Sequence, residues 1–555
     1  MSTPPSRVYT WTNSDPPPPG GWWSTEPEFP NTNVAKPDAS LRLDHLHTEI
    51  LSNVFGYYAD RRLNLSDKGH RALLFTQSAY ALDRYNLASL CLVSSRLRAI
   101  AQPILYRNFP LGFGDIFNLQ YRPERALASF LRTVAERRDL AVLVKSIYIN
   151  AFLPVNVDVS HAQAVLDQTA RGLGIQLSTF STHFPDMENP SCKLAIVLVN
   201  ILIAILPNLD HLGVGDIYYI YPFVCPSAVR ALGVDRLRLE TIDVFSRGLS
   251  SVQRHHEIGR STNVGQILDL TPGIKTLTLD KCNYSSWNLA VGSKLQTLSI
   301  THSEIGKHNF EALLSACVDL HTLVYKAAIP TIETFQEYFD GADTFDEHYL
   351  QPPDAVEKLE HLSGKLKSLH LDFGGWEFWK YAGIESYEPI SSLEQFVALE
   401  DLLISENAIY PEHDKFEIVN GEKLPENVQL LAQVLPPTII TLQLCGVSDL
   451  ANLPLKEGLL CLTDCIAAGK FPKLKQVRCY ASAHEKDTGY RDDGEIAIYS
   501  ARYDGLEGEP YDMKIAFSRV GVDFAYDPKL DLGDDLRLCT RQDFETLLER
   551  IGSRA

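Results

Sequence analysis

Ten times between residues 144 and 479 the chain repeats one apolar spacing: a residue, then two more at three and five positions on. The first five triplets are Val144/Ile147/Ile149, Leu209/Leu212/Val214, Leu239/Ile242/Val244, Ile274/Leu277/Leu279 and Leu295/Leu298/Ile300. The remaining five are Leu320/Leu323/Tyr325, Leu366/Leu369/Leu371, Leu399/Leu402/Ile404, Ile439/Leu442/Leu444 and Leu474/Val477/Cys479. In most, the last two apolar residues alternate with polar ones, the period of a short strand that shows one face to a core. Helical spacing leads into several of them, as in Leu194–Leu206 ahead of Leu209 and Phe310–Cys317 ahead of Leu320. A single triplet arises by chance in any leucine-rich chain. Ten in order do not, and they commit the chain to a serial repetition of helix and strand.

The spacing resembles that of leucine-rich repeat proteins. The resemblance implies an α/β solenoid over residues 111–483, with parallel strands on a concave face and helices on the convex one. Two units, Ile274 to Cys282 and Leu399 to Asn407, reach the asparagine or cysteine of that pattern. Elsewhere the position holds Ser303, Ala328, Gly374 or Val447. Units start about 21 to about 65 residues apart, against a usual period of roughly 20–29. The long ones are expected to carry inserted loops, as around Asp340–Gln351 and Glu406–Glu426. Residues 484–555, with 17 acids against 10 bases, are placed to supply a C-terminal cap. Strand-like runs are expected there at Glu495–Ser500 and Met513–Phe517, and a last helix at Arg541–Ile551.

Side chains flanking the strand leucines point away from the core. Just before the middle apolar position stand Ser146, His211, Thr241, Thr276, Thr297, Thr322, Ser368, Asp401, Thr441 and Gln476, of which seven are Ser or Thr. Two readings stand side by side: the β-propensity of Thr at exposed strand positions, or a hydroxyl-lined groove that bonds an extended partner. The next column, with Tyr148, Asp243, His370, Gln443 and Arg478, is more varied and better suited to specificity. After the strand ending at Leu371 comes Gly374-Gly375-Trp376-Glu377-Phe378-Trp379-Lys380-Tyr381. Its Trp376, Phe378 and Trp379 are either binding anchors or a plug folded back on the solenoid edge.

Ahead of the repeats lie two helical stretches. Leu46, Ile50, Leu51, Val54 and Phe55 form one apolar stripe. Leu87, Leu90, Val93 and Leu97 form another, which Pro103 is expected to end. The matches at Leu46, Glu49, Ile50, Leu51, Phe55, Leu90, Val93, Arg96 and Leu97 resemble an F-box, and Ala101-Gln102-Pro103-Ile104-Leu105-Tyr106-Arg107 resembles the fungal version of its tail. His47 departs from the usual proline, and an insert at about 59–83 replaces a short turn. The resemblance implies that residues 41–110 dock a Skp-family adaptor, and through it a cullin, using Leu46, Ile50, Leu51, Val54, Phe55, Leu87, Leu90, Val93 and Leu97. The repeats would then hold a target protein for ubiquitin transfer by other subunits. The alternative is a repeat scaffold that does not engage the adaptor.

Composition bounds the rest. The 555 residues carry a net charge of −19, which argues against nucleic-acid or anionic-membrane partners. Ten scattered cysteines without a Cys-x-x-Cys fit buried thiols in a reducing compartment. Cys461 and Cys465 sit one helical turn apart with no His completing a metal site. Residues 1–40 are rich in Pro, Ser, Thr and Asn and are expected to be disordered; they lack the apolar core of a signal peptide. Leu194–Leu206 is too short to cross a bilayer and contains Asn200. No nucleophile elbow, phosphate loop, dinucleotide fingerprint or His-Glu-x-x-His occurs. The expectation is a non-catalytic protein without cofactor or metal, in the cytoplasm, the nucleus or both.

Overall fold

A computed structural model of the chain describes residues 46–59, 79–111, 123–149, 157–178, 190–215, 224–245, 264–280, 282, 294–303, 305–327, 350–373, 389–410, 428–447, 453–481, 488–490, 496–498 and 511–527. The expected N-terminal tail, residues 60–78 of the insert, Gly374–Tyr381 and the helix Arg541–Ile551 lie outside them.

Twelve strands form one sheet in chain order, each parallel to its neighbours. The ten triplets supply β2 (Ser146–Ile149), β3 (His211–Gly215), β4 (Thr241–Phe245), β5 (Thr276–Asp280), β6 (Thr297–Ser303), β7 (Thr322–Ala327), β8 (Ser368–Asp372), β9 (Asp401–Ser405), β10 (Thr441–Val447) and β11 (Gln476–Ala481). One strand more flanks them at each end. These are β1 (Asn108–Leu111), across the boundary expected at 110/111 between the F-box-like helices and the repeats, and β14 (Asp523–Asp527), inside the expected cap. A separate antiparallel pair, β12 (Thr488–Tyr490) with β13 (Ile496–Ile498), lies between β11 and β14 in sequence.

The register is uniform at the strand starts and shifts only near the ends of β6 and β10. The residue ahead of the first core position faces its counterpart on the next strand throughout, from Asn108↔Ser146 to Gln476↔Asp523. Just before the strands a backbone ladder already runs from turn to turn: Lys145 N–H donates to the Arg107 carbonyl, Glu240 to Asp210, Gln296 to Lys275 and Glu400 to Lys367. The two apolar columns, Ile147 to Phe524 and Ile149 to Cys479, turn into one continuous core with the flanking helices. Those helices include Pro123–Glu136, Val159–Leu173, Pro190–Ile205, Lys307–Ser315, Pro352–Leu359 and Leu453–Ala467. Pro190–Ile205 is buried from Leu194 through Ile203, so its apolar run reflects a helix enclosed by neighbours. Asn200, fully buried, donates Nδ2–H to the Ile196 carbonyl at 2.7 Å and accepts the Cys225 N–H at 2.8 Å. The one polar residue of that run thus stitches two units together.

At the N-terminus, α1 (Thr48–Ala59), α2 (Ala79–Val93) and α3 (Ser95–Arg107) form a small unit with its own core. The break between α2 and α3 is made by Ser94, in extended backbone, whose hydroxyl accepts the Leu97 N–H at 3.2 Å. Pro103 does not end the helix as its ring leads one to expect: α3 continues four residues beyond it. The helix restarts at Ser95, and the carbonyl that loses its donor, that of Ala99, belongs to an exposed residue within reach of water. Met513–Phe517 likewise departs from expectation. It lies in the helix Tyr511–Arg519, because Met513 and Phe517, both buried, are spaced four apart and share a helical face. Phe517 stacks on Phe524 of β14, ring centroids 5.1 Å apart.

Candidate functional site

Two surfaces carry the residues that the sequence singles out. The first is the helical unit, which divides the nine expected docking residues. Leu51, Phe55, Leu87 and Leu97 form its core with Cys91 and Ala101, each nearly inaccessible. Leu46 and Leu90 pack half-buried against it. Only Ile50, Val54 and Val93 are exposed, at 49, 48 and 68%. Two apolar side chains that the sequence reading passed over join them, Tyr85 at 68% and Leu92 at 81%. Their signal was available: Tyr85 and Leu92 are seven apart, two turns along α2, off the stripe that makes the core.

The Arg96 guanidinium fixes the arrangement by donating to the Leu46 carbonyl at 2.7 Å and to the Thr48 hydroxyl at 3.3 Å. It thereby sets the α2–α3 corner, with Leu92 and Val93, beside the start of α1, one turn from Ile50. Arg84 joins the unit to the sheet: its Nη1 donates to the carbonyls of Leu105 and Asn108 at 3.0 and 2.8 Å, and its guanidinium lies over the Phe109 ring. His47 and Glu49 approach to 3.5 Å but are almost fully exposed, a geometry that contributes little.

The second surface is the face of the sheet turned away from the core. Its ends are internally bonded. On the first strands Ser146 donates to Asn108 Oδ1 at 2.7 Å, Tyr148 and His211 Nδ1 lie 3.3 Å apart, and His211 Nε2 meets Asp243 Oδ2 at 2.6 Å. Tyr148 is therefore buried. Its ring lies on Gly213, where a Cβ would fall well inside van der Waals contact. At the other end the Tyr480 hydroxyl donates to Gln443 Oε1 at 3.0 Å, while Arg478 is exposed.

Between the ends the pattern changes. The side chains of Thr241, Thr276, Thr278, Thr297, Ser299, Thr322, Ser368, His370, Asp401 and Thr441 make no hydrogen bond among the described residues, and all are half-buried. The hydroxyl column is thus a row of unused donors and acceptors at the strand spacing of roughly 4.8 Å. Column by column, the expected target-binding residues separate: Tyr148 and Gln443 serve the protein itself, Asp243 does so with one oxygen, and His370 and Arg478 face outward. Desolvation lowers the His370 pKa from its ordinary value, against the pull of Asp401. The imidazole is accordingly neutral at pH 7. Trp376, Phe378 and Trp379 lie outside the described residues.

The chemistry of the remaining groups is muted. Nine of the ten cysteines are described, all as free thiols and seven of them buried. Burial pushes the Cys317 thiol up to about 12 and also holds Cys445 and Cys479 well above the ordinary thiol value, away from the thiolate that reacts or ligates. Among the described residues no three His, Cys, Asp or Glu side chains are grouped to hold a metal, and no helix is long and apolar enough to cross a membrane. No family model matches the chain, and no curated protein matches it.

Proposed function

We propose that the protein is a non-catalytic substrate receptor of a Skp/cullin/F-box ubiquitin ligase. The helical unit docks the Skp-family adaptor, and the polar face of the sheet holds the protein to be modified. The observation that carries this reading is the crowding of exposed apolar side chains onto the helical unit. Ile50, Val54, Tyr85, Leu92 and Val93 make up half of the ten exposed large apolar side chains among the described residues, and such a concentration marks an interaction surface. Burying each against a partner is worth at most roughly 1.5–3 kcal/mol, and about half of that for the half-exposed Ile50 and Val54. The receptor's own contribution is proximity, raising the target's concentration near the enzymes that act on it.

A second reading, a repeat scaffold that never meets the adaptor, is favoured by the burial of Leu51, Phe55, Leu87 and Leu97, which leaves only part of the expected docking set available. The deciding experiment retains purified adaptor on immobilised protein and compares wild type with Ile50→Asp/Val54→Asp. Both positions are exposed, so the variant keeps its fold and its unfolding temperature. Retention by wild type and its loss in the variant supports the receptor. No retention by wild type, in the face of an intact fold, leaves the scaffold.

A further inference from the structure

We infer that the polar face of the sheet takes an extended, basic polypeptide segment that carries two cationic side chains about seven residues apart. The inference deepens the receptor reading by giving the target a chemistry, and it rests on that reading only for the purpose of capture.

The charge of the face argues for it. The strands of the sheet carry five carboxylates whose side chains are described (Asp243, Asp280, Asp372, Asp401 and Asp523) against two permanent cations, Lys326 and Arg478. Between β4 and β9, two of these acids have capacity to spare in the columns that face outward. Asp243 accepts from His211 through Oδ2, and Oδ1 has no hydrogen-bond partner among the described residues. Asp401 has none on either oxygen. By contrast Asp280 is buried and already accepts from the Thr301 hydroxyl and meets His302 Nδ1, at 2.7 and 2.8 Å, and so is spent on the fold. A partially desolvated carboxylate with a free oxygen prefers a guanidinium or ammonium over water-only solvation.

Spacing sets the length of the guest. Asp243 stands on β4 and Asp401 on β9, five strand steps apart, which is about 24 Å at roughly 4.8 Å per step. A chain extended at roughly 3.3 Å per residue crosses that distance in about seven residues. Along the crossing it meets the unused hydroxyls of Thr276, Thr297, Thr322 and Ser368. These can donate to carbonyls and accept from amide N–H groups, which an extended backbone presents to both sides. Between the carboxylates, Val324 and Leu403 flank His370 in the second column, an apolar stretch suited to an aliphatic side chain at the middle of the segment.

The test uses the full-length protein and fluorescein-labelled 12-residue Gly/Ser peptides read by fluorescence anisotropy. One carries arginines at positions 3 and 10, one has them at positions 3 and 5, and one has glutamates at 3 and 10. The widely spaced arginine peptide is expected to bind tightest. Asp243→Asn or Asp401→Asn should each weaken it about fivefold or more, the loss of one charge-assisted bond. The control Glu311→Gln, on a helix outside the sheet, should leave it unchanged. Equal affinity for all three peptides, preference for the glutamates, or an equal loss in Glu311→Gln overturns the inference. Adaptor retention measured on the same preparations separates the two readings: peptide binding without adaptor sinks the receptor alone, and adaptor without spacing-dependent peptide binding sinks the basic target alone.

Discussion

The three N-terminal helices and the twelve-stranded sheet are joined without a linker, since α3 ends at Arg107 and β1 begins at Asn108. Yet they bury surface on different scales. The sheet and its helices share one core running from Leu127 to Phe524, whereas the helical unit has six buried apolar side chains among its described residues. Serial stacking lets every added strand and helix enlarge one core, so the repeats leave few large apolar side chains outside. Among the described residues the helical unit has a small interior, and apolar side chains remain outside it at Ile50, Val54, Leu92 and Val93. What each region offers a partner follows from this: the helices offer apolar surface that lacks cover, the sheet offers polar groups that lack bonds.

The largest effects should come from breaking each core in turn. Phe55 and Phe310 are both buried large aromatics, one in each core, and truncation of either to Ala should cost about 3–5 kcal/mol. Hydrogen exchange tells them apart. Phe55→Ala should strip protection from α1–α3 while β2–β11 keep theirs, because Phe55 belongs to the helical unit's own core, which Arg84, Tyr106 and the chain crossing join to the sheet region. Phe310→Ala should lower protection in the sheet around β6 and β7, where the ring meets Tyr325 at 5.8 Å. Equal loss of sheet protection in both variants would mean that the two cores unfold as one.

A smaller effect sharpens how the sheet region holds together. Replacing Asn200 by Leu keeps the size and the apolar surroundings but strands the Cys225 N–H without its acceptor. The expected cost is about 1–3 kcal/mol, the penalty of an unmet buried donor, seen as a lower urea midpoint with unchanged slope. A neutral result would show that the two units pack through apolar contact alone.

Much of this was legible before any coordinates. All ten triplets became strands in one register, since an alternating pair of apolar residues repeated ten times leaves one face to bury and one way to stack. That the flanking segments join the same sheet is not legible in the sequence, for physical reasons. In β1 the sequence Asn108-Phe109-Pro110-Leu111 contains a proline that argues against a strand, and it is tolerated because β1 is an edge. In β14 the core columns hold Phe524 and Tyr526, aromatics where the other units mostly show aliphatics. The docking set was half legible. Helical spacing identified which residues form stripes, but a stripe faces inward or outward depending on the neighbouring helix, and periodicity names no neighbour. Tyr148 was likewise read as a free specificity residue because nothing in its own strand reveals that Gly213 opens a seat for its ring.

The smallest effect concerns the unused polar groups at the middle of the sheet. His370 has a folded pKa below the roughly 6.5 of an unfolded histidine, with desolvation the cause and Asp401 opposing it. The unfolded chain therefore binds the proton more readily, and stability rises with pH across the window between the two values. As pH falls from about 7 through the folded pKa, the wild type should lose stability that His370→Gln retains, so the variant gains on the wild type in urea unfolding at pH 5 relative to pH 7.5. Removing the opposing carboxylate with Asp401→Asn should push the histidine lower still and extend the window downward. A gap between wild type and His370→Gln that does not change with pH would show that the imidazole titrates alike in both states. The middle of the sheet would then be as open to water as its ends, and the row of hydroxyls would lose the partial desolvation that makes it a site.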